Sequence, residues 1–135
     1  MLIEYSDAPP AVRAVFDDIK ATRGIPDVNN FWKALARDPE TLRRVWEGLK
    51  AVMAPGALDP LTKEMLYLAV SVGNGCAYCA QSHERAARRA GMTDAQHGEV
   101  LAVVGMAHQT NRLAWGYAVP LDAPPDGGTG SPPPA

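Results

Sequence analysis

The chain has 135 residues, of which 47% are hydrophobic and 21% charged, enough apolar side chains for one modest core. Its formal net charge is −2 with acidic and basic residues interspersed, which argues against nucleic acid or an anionic membrane as a partner. No run approaches the roughly 18 consecutive apolar residues of a membrane helix. The opening MLIEYSDAPP also lacks the basic region and apolar run of a secretory signal, so the expected location is cytoplasmic.

Taken in chain order, the apolar spacing predicts helix after helix. Asp7 with Pro9 and Pro10 reads as a helix start, and Val12, Val15, Phe16 and Ile19 follow at helical spacing until Gly24. A short piece is expected around Phe31, Trp32, Leu35 and Ala36. Asp38-Pro39 is an N-cap followed by a first-turn proline. The stripe behind it is Leu42, Val45, Trp46, Leu49 and Val52, broken at Pro55-Gly56. Asp59-Pro60 repeats the signal for a helix through Leu61, Met65, Leu68, Ala69 and Ser71, ending near Gly73-Asn74-Gly75.

The next helix is expected from about Gly75 to Ala90, with Gly91 as a left-handed stop. Thr93 and Gln96 form a capping box for the last one, backed by Val100, Leu101, Val103, Val104 and Ala107. No segment alternates apolar and polar residues long enough to make a strand. The reading is an all-α, single-domain bundle of about six helices over residues 1–120, with a Pro/Gly-rich, disordered tail at 121–135. So small a domain leaves helix faces over, which are expected to seek a partner subunit.

Chemistry concentrates in Asn74-Gly-Cys76-Ala-Tyr78-Cys79-Ala-Gln-Ser-His83. At about 100° per residue, positions 76, 79 and 83 fall within about 60° of one another, so two sulfurs and an imidazole share one helix face. Cys76 and Cys79 are the two cysteines of the chain, and in a reducing compartment such a pair points to redox or metal chemistry rather than a structural staple. Cys76 lies in the first turn, where unpaired amides and the helix dipole stabilise a thiolate. One thiol can attack a peroxide to give a sulfenic acid, the other can condense with it to a disulfide, and an external thiol resets the pair.

Glu64 interrupts an otherwise apolar helix, on the stripe of Leu68 and Ser71. A carboxylate turned inward needs a proton donor or a cation, and His83 is the candidate, met directly or through a water. A closed zinc site is short of ligands: Cys76, Cys79 and His83 make three, and Glu64, His97 or His108 would have to be the fourth. Haem attachment through Cys-x-x-Cys-His is excluded because Ala80 follows Cys79. The absence of alternating strands speaks against a thioredoxin fold. Tyr78 suits the core as well as a site wall; His97, His108, Trp32, Trp46 and Trp115 suit packing or an interface.

The segment from Glu64 to His83 resembles the core of the AhpD-like alkylhydroperoxidases of the carboxymuconolactone decarboxylase superfamily, with Glu, both Cys and His in register. The flanks Pro26-Asp-Val-Asn-Asn30, Asp38-Pro39 and Gly91-Met-Thr93 are also similar, and the resemblance covers roughly residues 10–120. It implies an all-helical trimer or hexamer that reduces organic hydroperoxides or hydrogen peroxide without a bound cofactor or metal. It further implies Cys79 as the attacking thiol, Cys76 as proton donor and resolving partner, and His83 with Glu64 as the proton relay. Tyr67, Tyr78 and Ser71 would border the substrate pocket, and a thiol or lipoyl-type protein would be the reductant. Two other classes remain: an acid–base lyase or isomerase using His83 and Glu64, and a redox- or metal-sensing oligomer.

Overall fold

A computed structural model describes residues 1–122. Its helices are α1 (Pro10–Arg23), α2 (Asn30–Leu35), α3 (Pro39–Met53), α4 (Pro60–Gly73), α5 (Ala77–Arg89) and α6 (Asp94–Gly116), preceded by a 3-10 turn at Tyr5–Asp7. No strand occurs among the described residues, so the expected all-α class holds. The reading of a disordered tail falls mainly on residues 123–135, which lie outside the described residues. Contacts gather the chain into two compact units, Met1–Pro60 and Leu61–Ala135.

In the first unit, the expected start of α1 differs in detail. Asp7 belongs to the 3-10 turn, Pro9 occupies the N-cap without a capping side chain, and Pro10 opens the helix. Pro10 suits that place because its fixed φ is already helical and it has no N–H to leave unpaired. Gly24 closes the helix at φ 62° and ψ 39°, a left-handed conformation that costs a residue with a Cβ about 1 kcal/mol or more. Asp38 caps α3 by accepting from the amides of Glu40 and Thr41.

Val12, Phe16 and Ile19 of α1 bury fully against Trp32 of α2 and against Leu42 and Trp46 of α3. Burying a side chain of this kind is worth about 1.5–3 kcal/mol relative to exposure. Trp32 and Trp46 meet edge to face at 5.4 Å, and the Trp46 indole donates to Asp18 Oδ2 at 2.6 Å. Val52, expected on the buried stripe, is 65% exposed because it stands at the stripe's edge near the end of α3. Lys33 is buried and pairs with Glu4 at 2.7 Å and Asp27 at 2.8 Å.

The second unit is built from α4, α5 and α6. Leu68, Ala87 and Met92 form its buried centre, with Leu61, Met65, Val72, Ala80 and Val100 packed on it. Both turns use the same device. After α4, Gly75 (φ 70°) donates to Val72 O and Cys76 donates to Ser71 O, each at 3.0 Å. After α5, Gly91 (φ 102°) donates to Arg88 O and Met92 donates to Ala87 O. This pair of bonds around a left-handed residue satisfies the carbonyls that a helix end leaves open.

The expected capping box at α6 is present: Thr93 Oγ1 accepts from the Gln96 amide at 3.1 Å and Gln96 Oε1 from the Thr93 amide at 2.9 Å. None of the 23 residues of α6 is buried, and Val103, Met106 and Trp115 are among its exposed apolar side chains. A groove of about 420 Å³ runs between α4 and α6, walled by Met65, Leu66, Ala69, Val100 and Val103. No helix of the described residues is long and apolar enough to cross a membrane.

Candidate redox site

The turn between α4 and α5 sets the site. Because Cys76 is both the residue whose amide closes α4 and the N-cap of α5, a single residue links the two helices. Its Sγ accepts from the Cys79 amide at 3.3 Å, taking the capping place that a serine or aspartate oxygen usually fills. Cys76 and Cys79 are joined as a disulfide across this first turn, with Cα atoms 5.3 Å apart. Neither residue is fully buried.

His83 follows Cys79 by four residues, one turn further along the same face of α5. Its Nδ1 lies 2.7 Å from Glu64 Oε2 of α4, so of the two contacts expected for this pair the structure has the direct one. The two side chains are 12% and 20% exposed, sheltered enough for the hydrogen bond to hold its geometry. A carboxylate oxygen in this contact accepts, so the ring donates through Nδ1 and turns Nε2 to its far edge. A base oriented by a carboxylate one turn from a cysteine is an arrangement that can move a proton to or from sulfur.

The three remaining residues singled out in the sequence have different surroundings. Tyr67, one turn after Glu64 on α4, stacks on the His83 ring with centroids 3.6 Å apart and planes 17° from parallel. Ser71 is buried at 4% exposure; its hydroxyl donates to Tyr67 O at 2.7 Å while its carbonyl takes the Cys76 amide. Tyr78 is 44% exposed between the two cysteines in sequence. His97 lies 3.7 Å from Glu84, and His108 lines a surface hollow with Asn111, Arg112 and Trp115. His108 Nε2 also stands 3.3 Å from where a Cβ on Gly73 would lie, and no group of three or more His, Cys, Asp and Glu among the described residues is placed to hold a metal.

Residues 39–122 match the Carboxymuconolactone decarboxylase family. The chain belongs to that family. Within it, the structure is similar to the crystal structure of the alkylhydroperoxidase AhpD core from Rhodospirillum rubrum, with a TM-score of 0.82 and 60% identity over 84% of each chain. In sequence the chain is 33% identical over 103 residues to the alkyl hydroperoxide reductase AhpD of Azorhizobium caulinodans, covering 70% of this chain and 54% of that protein. It is 41% identical over 72 residues to uncharacterized protein 4 in the cox locus of Paracoccus denitrificans, covering 48% of this chain and 65% of that one. The chain thus spans between about half and two thirds of the length of these curated relatives.

As a carboxymuconolactone decarboxylase family chain with an AhpD-like fold, it keeps its whole candidate site on α4, α5 and their turn. Periodicity is signal enough for the shared face of Cys76, Cys79 and His83. The tie between Ser71 O and the Cys76 amide has a weaker trace, Gly75 one residue before the cysteine. The stack of Tyr67 on His83 has none, because spacing along α4 does not report which ring on α5 it meets.

Proposed function

We propose that this chain is a thiol-dependent alkylhydroperoxidase. The observation that carries the reading is the Cys76–Cys79 pair closed across the first turn of α5, with His83, held by Glu64, on the same face. The AhpD names of the relatives support it. In the reduced enzyme His83 takes the Cys79 proton, and the thiolate attacks the terminal peroxide oxygen. The O–O bond breaks, the alcohol leaves with a proton, and Cys79 becomes a sulfenic acid. The Cys76 thiol then attacks the Cys79 sulfur, expelling water and closing the disulfide.

An external thiol resets the pair by attacking Cys79 and releasing Cys76 as thiolate. The Cys79 amide already points at the Cys76 sulfur, which supports Cys76 as the leaving group. No bound cofactor or metal takes part. The substrate is an organic hydroperoxide or hydrogen peroxide, with Tyr67 and Tyr78 beside it. The reductant is a thiol or lipoyl-type protein of the cytoplasm, and the unburied face of α6 fits a homo-oligomer, a trimer or hexamer. Neither nucleic acid nor membrane enters the reading.

The test is a single turnover of pre-reduced protein with tert-butyl hydroperoxide and hydrogen peroxide, counting free thiols before and after. Two thiols lost per chain for one peroxide consumed, with no turnover in Cys79→Ser, is the expected result. Thiols that stay reduced with both peroxides, alongside turnover of a lactone acid that survives loss of both cysteines, would replace this reading by acid–base lyase chemistry.

A further inference from the structure

Within the candidate site, Tyr67 has a relation to His83 that the redox cycle above does not use. One turn of α4 presents two groups to the same imidazole: Glu64 Oε2 meets its edge at 2.7 Å and the Tyr67 ring covers its face at 3.6 Å between centroids. These restraints act at right angles. The hydrogen bond fixes the direction of Nδ1 in the ring plane but leaves the ring free to rock about that bond. The stack, 17° from parallel, removes the rocking. Together they define the orientation of the whole ring and therefore of Nε2 on its far edge.

We infer that Tyr67 is a positioning residue that locks the plane of His83 for proton transfer, and does so through its ring rather than its hydroxyl. The inference rests on the peroxidase reading for the meaning of His83, but the lock itself is a property of the resting protein. Tyr67 is 37% exposed, so the competing role is a wall against which an alkyl group rests. The two roles make different demands. A wall matters for a bulky hydroperoxide and hardly at all for hydrogen peroxide, whereas a locked base serves every peroxide alike. The Ser71 hydroxyl occupies the Tyr67 carbonyl, so neither role runs through that backbone group.

The experiment uses the full chain, unmodified and as Tyr67→Phe and Tyr67→Leu. Two readouts are taken: rates of peroxide-driven thiol loss with hydrogen peroxide and cumene hydroperoxide, and proton and nitrogen NMR of the His83 ring in the oxidised protein. A ring stacked on Tyr67 gives upfield-shifted His83 carbon-bound protons, expected in the unmodified protein and in Tyr67→Phe and absent in Tyr67→Leu. Tyr67→Phe, which keeps the stacking ring, should lose less activity than Tyr67→Leu. Tyr67→Leu should be slower by roughly two- to tenfold with both peroxides, the factor an aromatic pair of this kind is worth.

Loss confined to cumene hydroperoxide would make Tyr67 a wall and overturn the inference. So would a Tyr67→Phe defect equal to that of Tyr67→Leu, unmodified rates in Tyr67→Leu, or His83 protons that lack the upfield shift in the unmodified protein. Should the unmodified protein consume no peroxide at all, the peroxidase reading fails while the NMR comparison still decides whether Tyr67 holds the ring. If Tyr67→Leu is too unstable to assay, the Tyr67→Phe rates and the ring shifts of the unmodified protein still support or overturn the stack.

Discussion

The backbone amide of Cys76 donates to the carbonyl of Ser71 at 3.0 Å, tying the first cysteine of the pair to the last turn of α4. Only a left-handed residue at position 75 lets the chain turn tightly enough for that bond, and Gly75 stands there at φ 70°. A Cβ at Gly75 would meet nothing within 4 Å, so Gly75→Ala carries backbone strain without a clash. We expect Gly75→Ala to cost about 1–2 kcal/mol, read as a lower denaturation midpoint. Unchanged stability in that variant would mean the turn tolerates another conformation.

The Glu64–His83 pair predicts an electrostatic rather than steric requirement. Glu64→Gln keeps the side-chain length and a carbonyl acceptor near Nδ1 but removes the charge that, in the proposed cycle, favours the imidazolium formed when His83 takes a proton. Thiol oxidation by peroxide is expected to slow by at least about tenfold in Glu64→Gln, and by about a hundredfold or more in His83→Ala. Single-turnover stopped-flow traces at matched pH check both. Equal rates in Glu64→Gln and the unmodified protein would remove the carboxylate from the relay.

Acid should act on the first unit through Asp18. The Lys50 ammonium first, and then the Trp46 indole, holds the Asp18 carboxyl below the usual carboxylate range by hydrogen bonding to its ionised form. A carboxyl whose folded value is depressed contributes stability that is fully present above its unfolded value, near pH 4, and is lost as pH falls through the folded value. Asp18→Asn should therefore be less stable than the unmodified chain at pH 6, with the gap closing below about pH 4. Urea titrations at pH 6, 4 and 2.5 check it; a gap that persists at the lowest pH would assign the loss to packing.

Lys33 predicts an asymmetry. Its side chain is only 10% exposed while its partners Glu4 and Asp27 remain 52% and 56% exposed at the side chain. Removing the cation in Lys33→Met returns two carboxylates to water and leaves an apolar stem in an apolar place. Removing both anions, in Glu4→Gln with Asp27→Asn, leaves the ammonium of a largely buried side chain without these two ionic partners. Lys33→Met is expected to lie within about 1 kcal/mol of the unmodified chain, and the double variant to lose about 2 kcal/mol or more. Chemical denaturation of both proteins in parallel checks the order; the reverse order would overturn the argument.

Much of this molecule is legible from spacing because helices repeat every 3.6 residues and their ends have local chemistry. Asp38-Pro39 and the Thr93–Gln96 box each act within one turn, so their signals need no tertiary knowledge, and both helix starts are where the sequence puts them. The shared face of Cys76, Cys79 and His83 is likewise a matter of register on one helix. Contacts between helices are another matter. An inward Glu64 announces a buried partner, since an unpaired carboxylate there is too costly, but Tyr67 announces nothing, being content on a surface or in a stack. The apolar residues of α6 are legible only as a stripe, since periodicity cannot tell a stripe buried in its own chain from one left open.

The three tryptophans have an optical consequence. Trp32 and Trp46 lie buried in the first unit, at 1% and 3% exposure, whereas Trp115 stands 83% exposed at the far end of α6. Emission from the unmodified protein is therefore a sum of two blue-shifted sources and one red-shifted one, and the two kinds answer different questions. Quenching by iodide reads Trp115 alone, and with it anything that settles on the end of α6. The resistant remainder reads the integrity of the helices α1 to α3.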